Sequence, residues 1–253
     1  MLIDSRCHLD AAEFDSDRDA VHAAALAAGI GRIVVPAVAV DSFHRVKTSV
    51  ERYPGCVAAY GIHPLCVMQA QESDLAVLRD WLERERPVAV GEIGLDFHVT
   101  DSDPARQEFY LVEQLKLARE LDLPVLLHVR RAIDRILKHL RRIRVPGGIA
   151  HAFNGSRQQA DEFIRLGFKL GFGGAMTFPG STRIRSLAAE LPLAAIVLET
   201  DAPDIPPAWL GGGRNSPAEL PRIAGVLAEL RALPAEEVAA QCAAAARAVL
   251  PRL

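Results

Sequence analysis

Residues 88–92, VAVGE, end a short apolar run on a carboxylate, and the same grammar returns five more times along the chain. His8 closes LIDSRCH (2–8), His63 closes VAAYGIH (57–63) and His128 closes PVLLH (124–128). His151 closes GGIAH (147–151), and Asp201 closes AAIVLETD (194–201). Runs this short and this apolar read as parallel strands buried on both faces. In a closed barrel of such strands every end opens onto one face, so residues scattered through the chain converge on one cleft.

Outward from these ends, strand-like segments near 2–8, 32–38, 57–62, 87–93, 124–129, 148–153, 168–173 and 195–200 alternate with helix-patterned stretches. DRDAVHAAALAAG (17–29), SDLAVLRDWLERE (73–85) and ARQEFYLVEQLKLARELD (105–122) are examples. Gly29 reads as a helix C-cap, and Asp103-Pro104 as an N-cap followed by Pro at the first helical position. Ser156 with Gln159, and Ser216-Pro217 with Glu219, fit the reciprocal capping box. Eight strand–helix units and a last helix over 235–250 predict a (β/α)8 TIM barrel, one domain over 1–253 with an extra C-terminal helix. An open doubly wound sheet is disfavoured, because no GxGxxG turn follows the first strand.

Composition agrees with this reading. A barrel of this kind runs to about 250 residues, and the chain has 253, half of them apolar. The formal charge of -3 supplies no broad basic field. A nucleic-acid partner would have to be drawn by a local patch or a bound cation. Cys7, Cys56, Cys66 and Cys242 show no CxxC or zinc-ribbon spacing, as expected of reduced thiols in a cytoplasmic enzyme. The first strand starts at Leu2, which leaves no room for a signal peptide, and no apolar run is long enough for a bilayer. A cytoplasmic monomer without a membrane partner is expected.

Imidazoles and carboxylates gathered at one rim form a hard-to-borderline ligand set, so a metal-dependent hydrolase is the leading reading. Glu92 carries most of it, since an unpaired carboxylate at the end of an apolar strand is costly. His128 and His151 share that logic. His8 has the alternative of a buried structural histidine, Asp201 that of a turn cap before Pro203, and His63 that of a loop anchor before Pro64. Arg130 points into the cleft or is a surface charge. Asp96 and Phe97 follow GEIG, where a base could stack on the ring. His22, His44, His98 and His139 are left as surface or helix residues. The basic run RRAIDRILKHLRRIR (130–144) is read as a solvated outer face in preference to a nucleic-acid track. Arg214-Asn215 either touches phosphate or steadies the start of the last barrel helix.

The phrases DSRCHLD (4–10), YGIHP (60–64), GEIGLDF (91–97), LLHVR (126–130), HAFNGS (151–156) and ETDAP (199–203), in this order, closely resemble the TatD family of metal-dependent deoxyribonucleases. The resemblance extends to GRNSPAELPRIA (213–224). It implies an amidohydrolase-type TIM barrel with one or two divalent ions (Mg, Mn or Zn) that hydrolyses phosphodiesters of DNA. Cleavage of RNA or oligonucleotides and 3′→5′ polarity are left open. By matching motif, Glu92 would bridge two ions, His128 and His151 would hold one, and His8 and Asp201 would help hold the other. His63 would sit near the substrate phosphate and Asp201 would orient or deprotonate the attacking water, while Arg130, from its position at the strand end and not from the motif, is a candidate substrate contact. Two alternatives stand beside this: an amide or lactone hydrolase of similar fold, and a catalytically silent nucleic-acid binder.

One departure motivates the silent alternative. The family pattern opens on His-x-His, whereas this chain has Arg6-Cys7-His8. In a strand, residues 6 and 8 share a side, so Arg6 would point where an imidazole ligand is expected. Guanidinium has no lone pair to offer. Two unit charges about 4 Å apart cost roughly 4 kcal/mol at an effective dielectric of 20, and a divalent ion doubles that. Arg6 therefore replaces one ion as a fixed phosphate-binding cation paired with Glu92 or Asp201, swings away to leave a weaker site, or marks lost activity. The first is favoured, with Glu92, His128 and His151 as ligands of a single ion.

Overall fold

The alternating pattern folds as eight parallel strands paired in chain order. The computed structural model describes residues 1–99 and 101–253. The strands are β1 (Leu2–Asp4), β2 (Ile30–Pro36), β3 (Cys56–Tyr60), β4 (Ala89–Asp96), β5 (Val125–Arg130), β6 (Gly148–Ala150), β7 (Phe168–Phe172) and β8 (Ile196–Leu198). Between and after them run α1 (Arg18–Ala27), α2 (Phe43–Arg52), α3 (Asp74–Glu85), α4 (Pro104–Glu120), α5 (Ile133–Arg142), α6 (Arg157–Arg165), α7 (Thr182–Glu190), α8 (Leu220–Arg231) and α9 (Ala235–Val249). The architecture is the expected (β/α)8 barrel with an additional last helix.

The first and last strands meet through the residues that follow them. Ser5 N–H donates to the Leu198 carbonyl at 3.0 Å, and Thr200 N–H donates to Asp4 Oδ1 at 2.9 Å. The barrel interior is packed by Ile3, Val34, Ala59, Leu126, Ile149 and Val197 in one buried cluster. Ala246, Val249 and Leu250 belong to that same cluster. The extra helix α9 therefore presents its small apolar face to the barrel filling, leaving the opposite mouth for chemistry. A larger cluster joins the outer strand faces to the surrounding helices.

Most local signals hold. Asp103 accepts from the N–H groups of Ala105 and Arg106 at 2.9 and 3.3 Å, with Pro104 opening α4. Ser156 and Gln159 cap α6 reciprocally, at 3.2 and 2.9 Å. Gly29 follows α1 at φ +86°, a conformation that disfavours any side chain. The second box does not form. A 3-10 turn over Pro217–Glu219 is inserted there, so α8 starts at Leu220 and Glu219 falls short of the third helical position. Its carboxylate accepts the Trp209 indole N–H at 2.7 Å instead.

Two of the histidines left as surface or helix residues lie on helices and have partners there. His22 is buried on α1, its Nε2 lying 3.0 Å from the Pro54 carbonyl, and His139 on α5 pairs with Glu108 at 2.9 Å.

Candidate metal centre

Glu92 is aimed by a bulge. Val90 pairs with Val125 and Ile93 with Leu127, so Gly91 and Glu92 together oppose Leu126. Such an irregularity re-aims a side chain at a barrel rim, and here it sends a fully buried carboxylate toward the mouth. The second glycine of GEIG has a separate reason. Gly94 sits at φ +150°, and a Cβ there would lie 2.0 Å from the His128 carbonyl oxygen. Glycine at 94 thus lets β4 approach β5 at the level of His128.

Three ligand atoms meet beside that bulge. His128 Nδ1 lies 3.2 Å from Glu92 Oε1, His151 Nε2 lies 3.1 Å from Glu92 Oε1, and the two imidazole nitrogens are 3.2 Å apart. Ligands held 2.0–2.2 Å from a tetrahedral ion are separated by roughly 3.3–3.6 Å, so the triangle is close to the size that an ion requires. Its chemistry also fits. His128 Nε2 is 2.9 Å from Asp96 Oδ2, a pure acceptor that engages the Nε2 hydrogen, so Nδ1 is the nitrogen that can give up its own hydrogen and offer a lone pair to an ion. Buried lone pairs that face one another repel unless a cation lies among them. These three residues fit a divalent ion.

Behind the triangle stand two carboxylates whose role the sequence reading missed. Asp96 is wholly buried, and its backbone is clamped by Gln107, which accepts from Asp96 N–H at 2.8 Å and donates to its carbonyl at 3.0 Å. Burial works to raise its pKa, but the bond to His128 and that from the His98 N–H win and bring it down to about 2. Asp96 is thereby committed to His128 instead of a substrate base. Glu199 Oε1 lies 3.8 Å from His151 Nδ1 and accepts the Ala152 N–H at 2.5 Å. Gly171 makes room for it, since a Cβ there would come 2.1 Å from Glu199 Oε2. Alternation was the available signal: 92, 94 and 96 share one strand face, as do 199 and 201.

Arg6 occupies the other side of Glu92. β1 ends at Asp4, so residues 6 and 8 lie on the following loop, yet both side chains reach the Glu92 carboxylate. Arg6 Nε donates to Glu92 Oε2 at 2.9 Å, and its two terminal nitrogens pair with Glu92 and with Asp201 Oδ1. Asp201 N–H also donates to the Arg6 carbonyl at 3.0 Å. Asp201 is therefore tied to the guanidinium, not to the imidazole triangle. Burial pushes Glu92 upward, but Arg6 and the surrounding imidazoles overcome it and hold the carboxyl well below the usual range. His8 Nε2 stands 3.8 Å from Glu92 Oε2. Burial and then Arg6 drive His8 down to about 3, so it is neutral at physiological pH.

His63 shows how proximity and chemistry differ. Its nitrogen, a Glu92 oxygen and a His128 nitrogen all lie within 4.8 Å of one another. Its Nδ1, however, accepts the Leu65 N–H at 3.1 Å, which puts the ring hydrogen on Nε2, 3.6 Å from Glu92 Oε1. That atom can donate but cannot ligate. Burial lowers the His63 pKa to about 3, so the ring is a neutral donor.

The site opens into a cleft of about 1530 Å³ that reaches Arg6, His8, His63, Phe97, His128 and Arg130. Arg130 is half exposed, its Nη1 3.9 Å from Asp96 Oδ2. The basic run is not simply an outer face: Arg131, Arg135 and Lys138 line this cleft as well. Arg214 is elsewhere, paired with Asp17 at 2.5 Å over the Phe14 ring. Asn215 steadies the segment after β8, its amide donating to the carbonyls of Thr200 and Asp204 at 2.7 and 2.8 Å and of Ile205 at 3.2 Å.

The family model described as TatD related DNase matches residues 3–251. The chain belongs to the TatD family. An Escherichia coli K12 relative, the uncharacterized metal-dependent hydrolase YjjV, is 45% identical over 94% of this chain and 93% of its own. A crystal structure of YjjV superimposes with a TM-score of 0.95 at 42% identity, covering 99% of this chain and 98% of that one. A Cronobacter sakazakii TatD protein, named as a 3′-5′ ssDNA/RNA exonuclease, is 35% identical over 91% of this chain and 90% of its own. This TatD-family chain is a metal-dependent hydrolase, and among its described residues no helix is long and apolar enough to cross a membrane.

Proposed function

We propose that the protein hydrolyses phosphodiester bonds of nucleic acid, DNA in the first instance, with one divalent ion held by Glu92, His128 and His151. The observation that carries the reading is the pairing of two cationic positions around one carboxylate. The triangle fits an ion on the Oε1 side of Glu92, and Arg6 stands on the Oε2 side. Adjacent positive centres suit a phosphodiester, which carries its own negative charge and gains more in the transition state. The exonuclease name of the Cronobacter relative agrees with this substrate class.

An ion in the triangle lowers the pKa of a coordinated water and offsets phosphate charge. The chain's own residues do the rest. Arg6 has five N–H bonds and three contacts to Glu92 and Asp201, which leaves donors for a non-bridging phosphate oxygen. His63 Nε2–H is a second, neutral donor at the same mouth. Asp201, paired with the Arg6 guanidinium, is the carboxylate placed to take the proton of the attacking water. Asp96 fixes the His128 ring through a 2.9 Å hydrogen bond, and Glu199 stands 3.8 Å from His151 Nδ1.

The test is release of nucleotides from single-stranded DNA with added Mg, Mn, Co or Zn, repeated with Glu92→Ala. Metal-dependent release that disappears in the variant is expected. Turnover of an amide or lactone panel with DNA untouched would end the reading.

A further inference from the structure

We infer that the α5 wall of the cleft is a track for a single-stranded polynucleotide, guiding its phosphates toward the centre at His128. The inference rests on the phosphodiester reading for its substrate class and adds where the strand lies. The wall follows directly from the ligand strand: β5 ends at Arg130, Arg131 comes next, and α5 begins at Ile133. Positions 135 and 138 are three residues apart on α5, which puts their side chains on one helical face, and Arg131 lines the same cleft from the left-handed turn just before the helix. Along α5 the rise of about 1.5 Å per residue separates Arg135 and Lys138 by roughly 4.5 Å, and Arg130 and Arg131 carry the cationic wall back to the end of β5.

One carboxylate of the same helix, Asp134, lines the cleft with these cations and accepts from the Gln159 amide at 2.8 Å. Arg131 and Lys138 are exposed cleft-lining residues, and among the described residues neither forms an ion pair with a carboxylate. Arg130 has only Asp96 at 3.9 Å, and that carboxylate is engaged by His128. Arg135 alone is paired, to Glu108 at 3.1 Å. On the same helix Arg141, which does not line the cleft, is paired with Glu162 at 2.7 Å. In a protein of net charge -3, such a stripe is the local field that a polyanion needs.

Apolar side chains separate the charges. Val129, Ile133 and Phe97 line the same stretch. Alternating cations and apolar surface suit phosphates joined to stackable bases, whereas an inorganic polyphosphate would use the cations alone.

The experiment measures binding, not cleavage. A fluorescent phosphorothioate dT dodecamer is titrated with the whole protein across a salt series, beside the dinucleotide. Single strands lose roughly 0.7 in log–log salt slope per phosphate contact removed, so Arg131→Gln with Lys138→Gln is expected to flatten the slope by about 1.4. Arg141→Gln should leave it unchanged. The dodecamer should bind at least tenfold more tightly than the dinucleotide to the unaltered protein, a comparison that needs no variant. Equal affinity for the two lengths, an unaltered slope in the double variant, or equal competition by polyphosphate per phosphate would overturn the track. Loss of DNA cleavage with these binding results intact would instead strike only the hydrolytic reading.

Discussion

Asp96 accepts the Nε2 hydrogen of His128 at 2.9 Å, and that bond decides which imidazole nitrogen faces Glu92. A carboxylate behind a metal-binding ring is worth roughly 10- to 100-fold in metal affinity. Asp96→Ala is expected to lose that much, and Asp96→Asn, which keeps an acceptor, to recover part of it. Calorimetric titration with the divalent ion measures both. Unchanged affinity in the alanine variant would show that ring orientation is set elsewhere.

Arg6 is expected to limit the number of ions. With its guanidinium held by Glu92 and Asp201, a second cation would meet like charge at close range, and one ion per chain is expected. Arg6→His removes the charge and supplies a lone pair near His8, so the variant should take up a second ion. Elemental analysis of the two purified proteins decides this. Two firmly held ions in the unaltered chain would contradict it.

Asp4 makes stability depend on pH in a recognisable direction. Burial raises its pKa from 3.8 to about 7 against the opposing Thr200 bonds. From pH 4 to 7 the unfolded chain releases this proton while the folded protein retains it, so stability falls as pH rises through that window. A displacement of about three units corresponds to roughly 4 kcal/mol at its full extent. The isosteric Asp4→Asn cannot ionise and still offers both bonding functions to Thr200. Its Tm should gain on that of the unaltered protein as pH rises from 5 to 8, in thermal melts at matched ionic strength. A constant difference across that range would refute the assignment.

Asn215 donates to three carbonyls of the segment that carries Asp201. Removing the amide leaves buried acceptors unmet, at about 1–3 kcal/mol. Asn215→Ala should lower stability by that amount in urea unfolding and weaken turnover beyond what the lost stability explains. A fully active, equally stable variant would assign the residue no such task.

Much of this architecture was legible because barrel strands advertise themselves as short apolar runs with polar ends. Glu92, His128 and His151 each close such a run, and they meet as expected. Arg6 was flagged by its charge, and its pairing with both Glu92 and Asp201 follows from electrostatics. The tautomers were not legible, because they depend on neighbours such as Leu65 N–H and Asp96, which only the folded backbone supplies. Nor was the inserted turn before α8, whose Glu219 preferred the Trp209 indole. The cleft-facing side of 130–138 was hidden for a different reason: amphipathic spacing marks one face as polar without telling solvent from cavity.

The junction where β1 meets β8 lies directly beneath Arg6 and Asp201. During synthesis the three residues that fit an ion have all emerged with His151, and Arg6 already has Glu92 by then, but its second partner, Asp201, follows only the final strand. A growing polypeptide therefore carries its three proposed ion ligands early, while its proposed proton acceptor stays missing until the ring shuts. Hydrolytic competence would then coincide with completion of the fold.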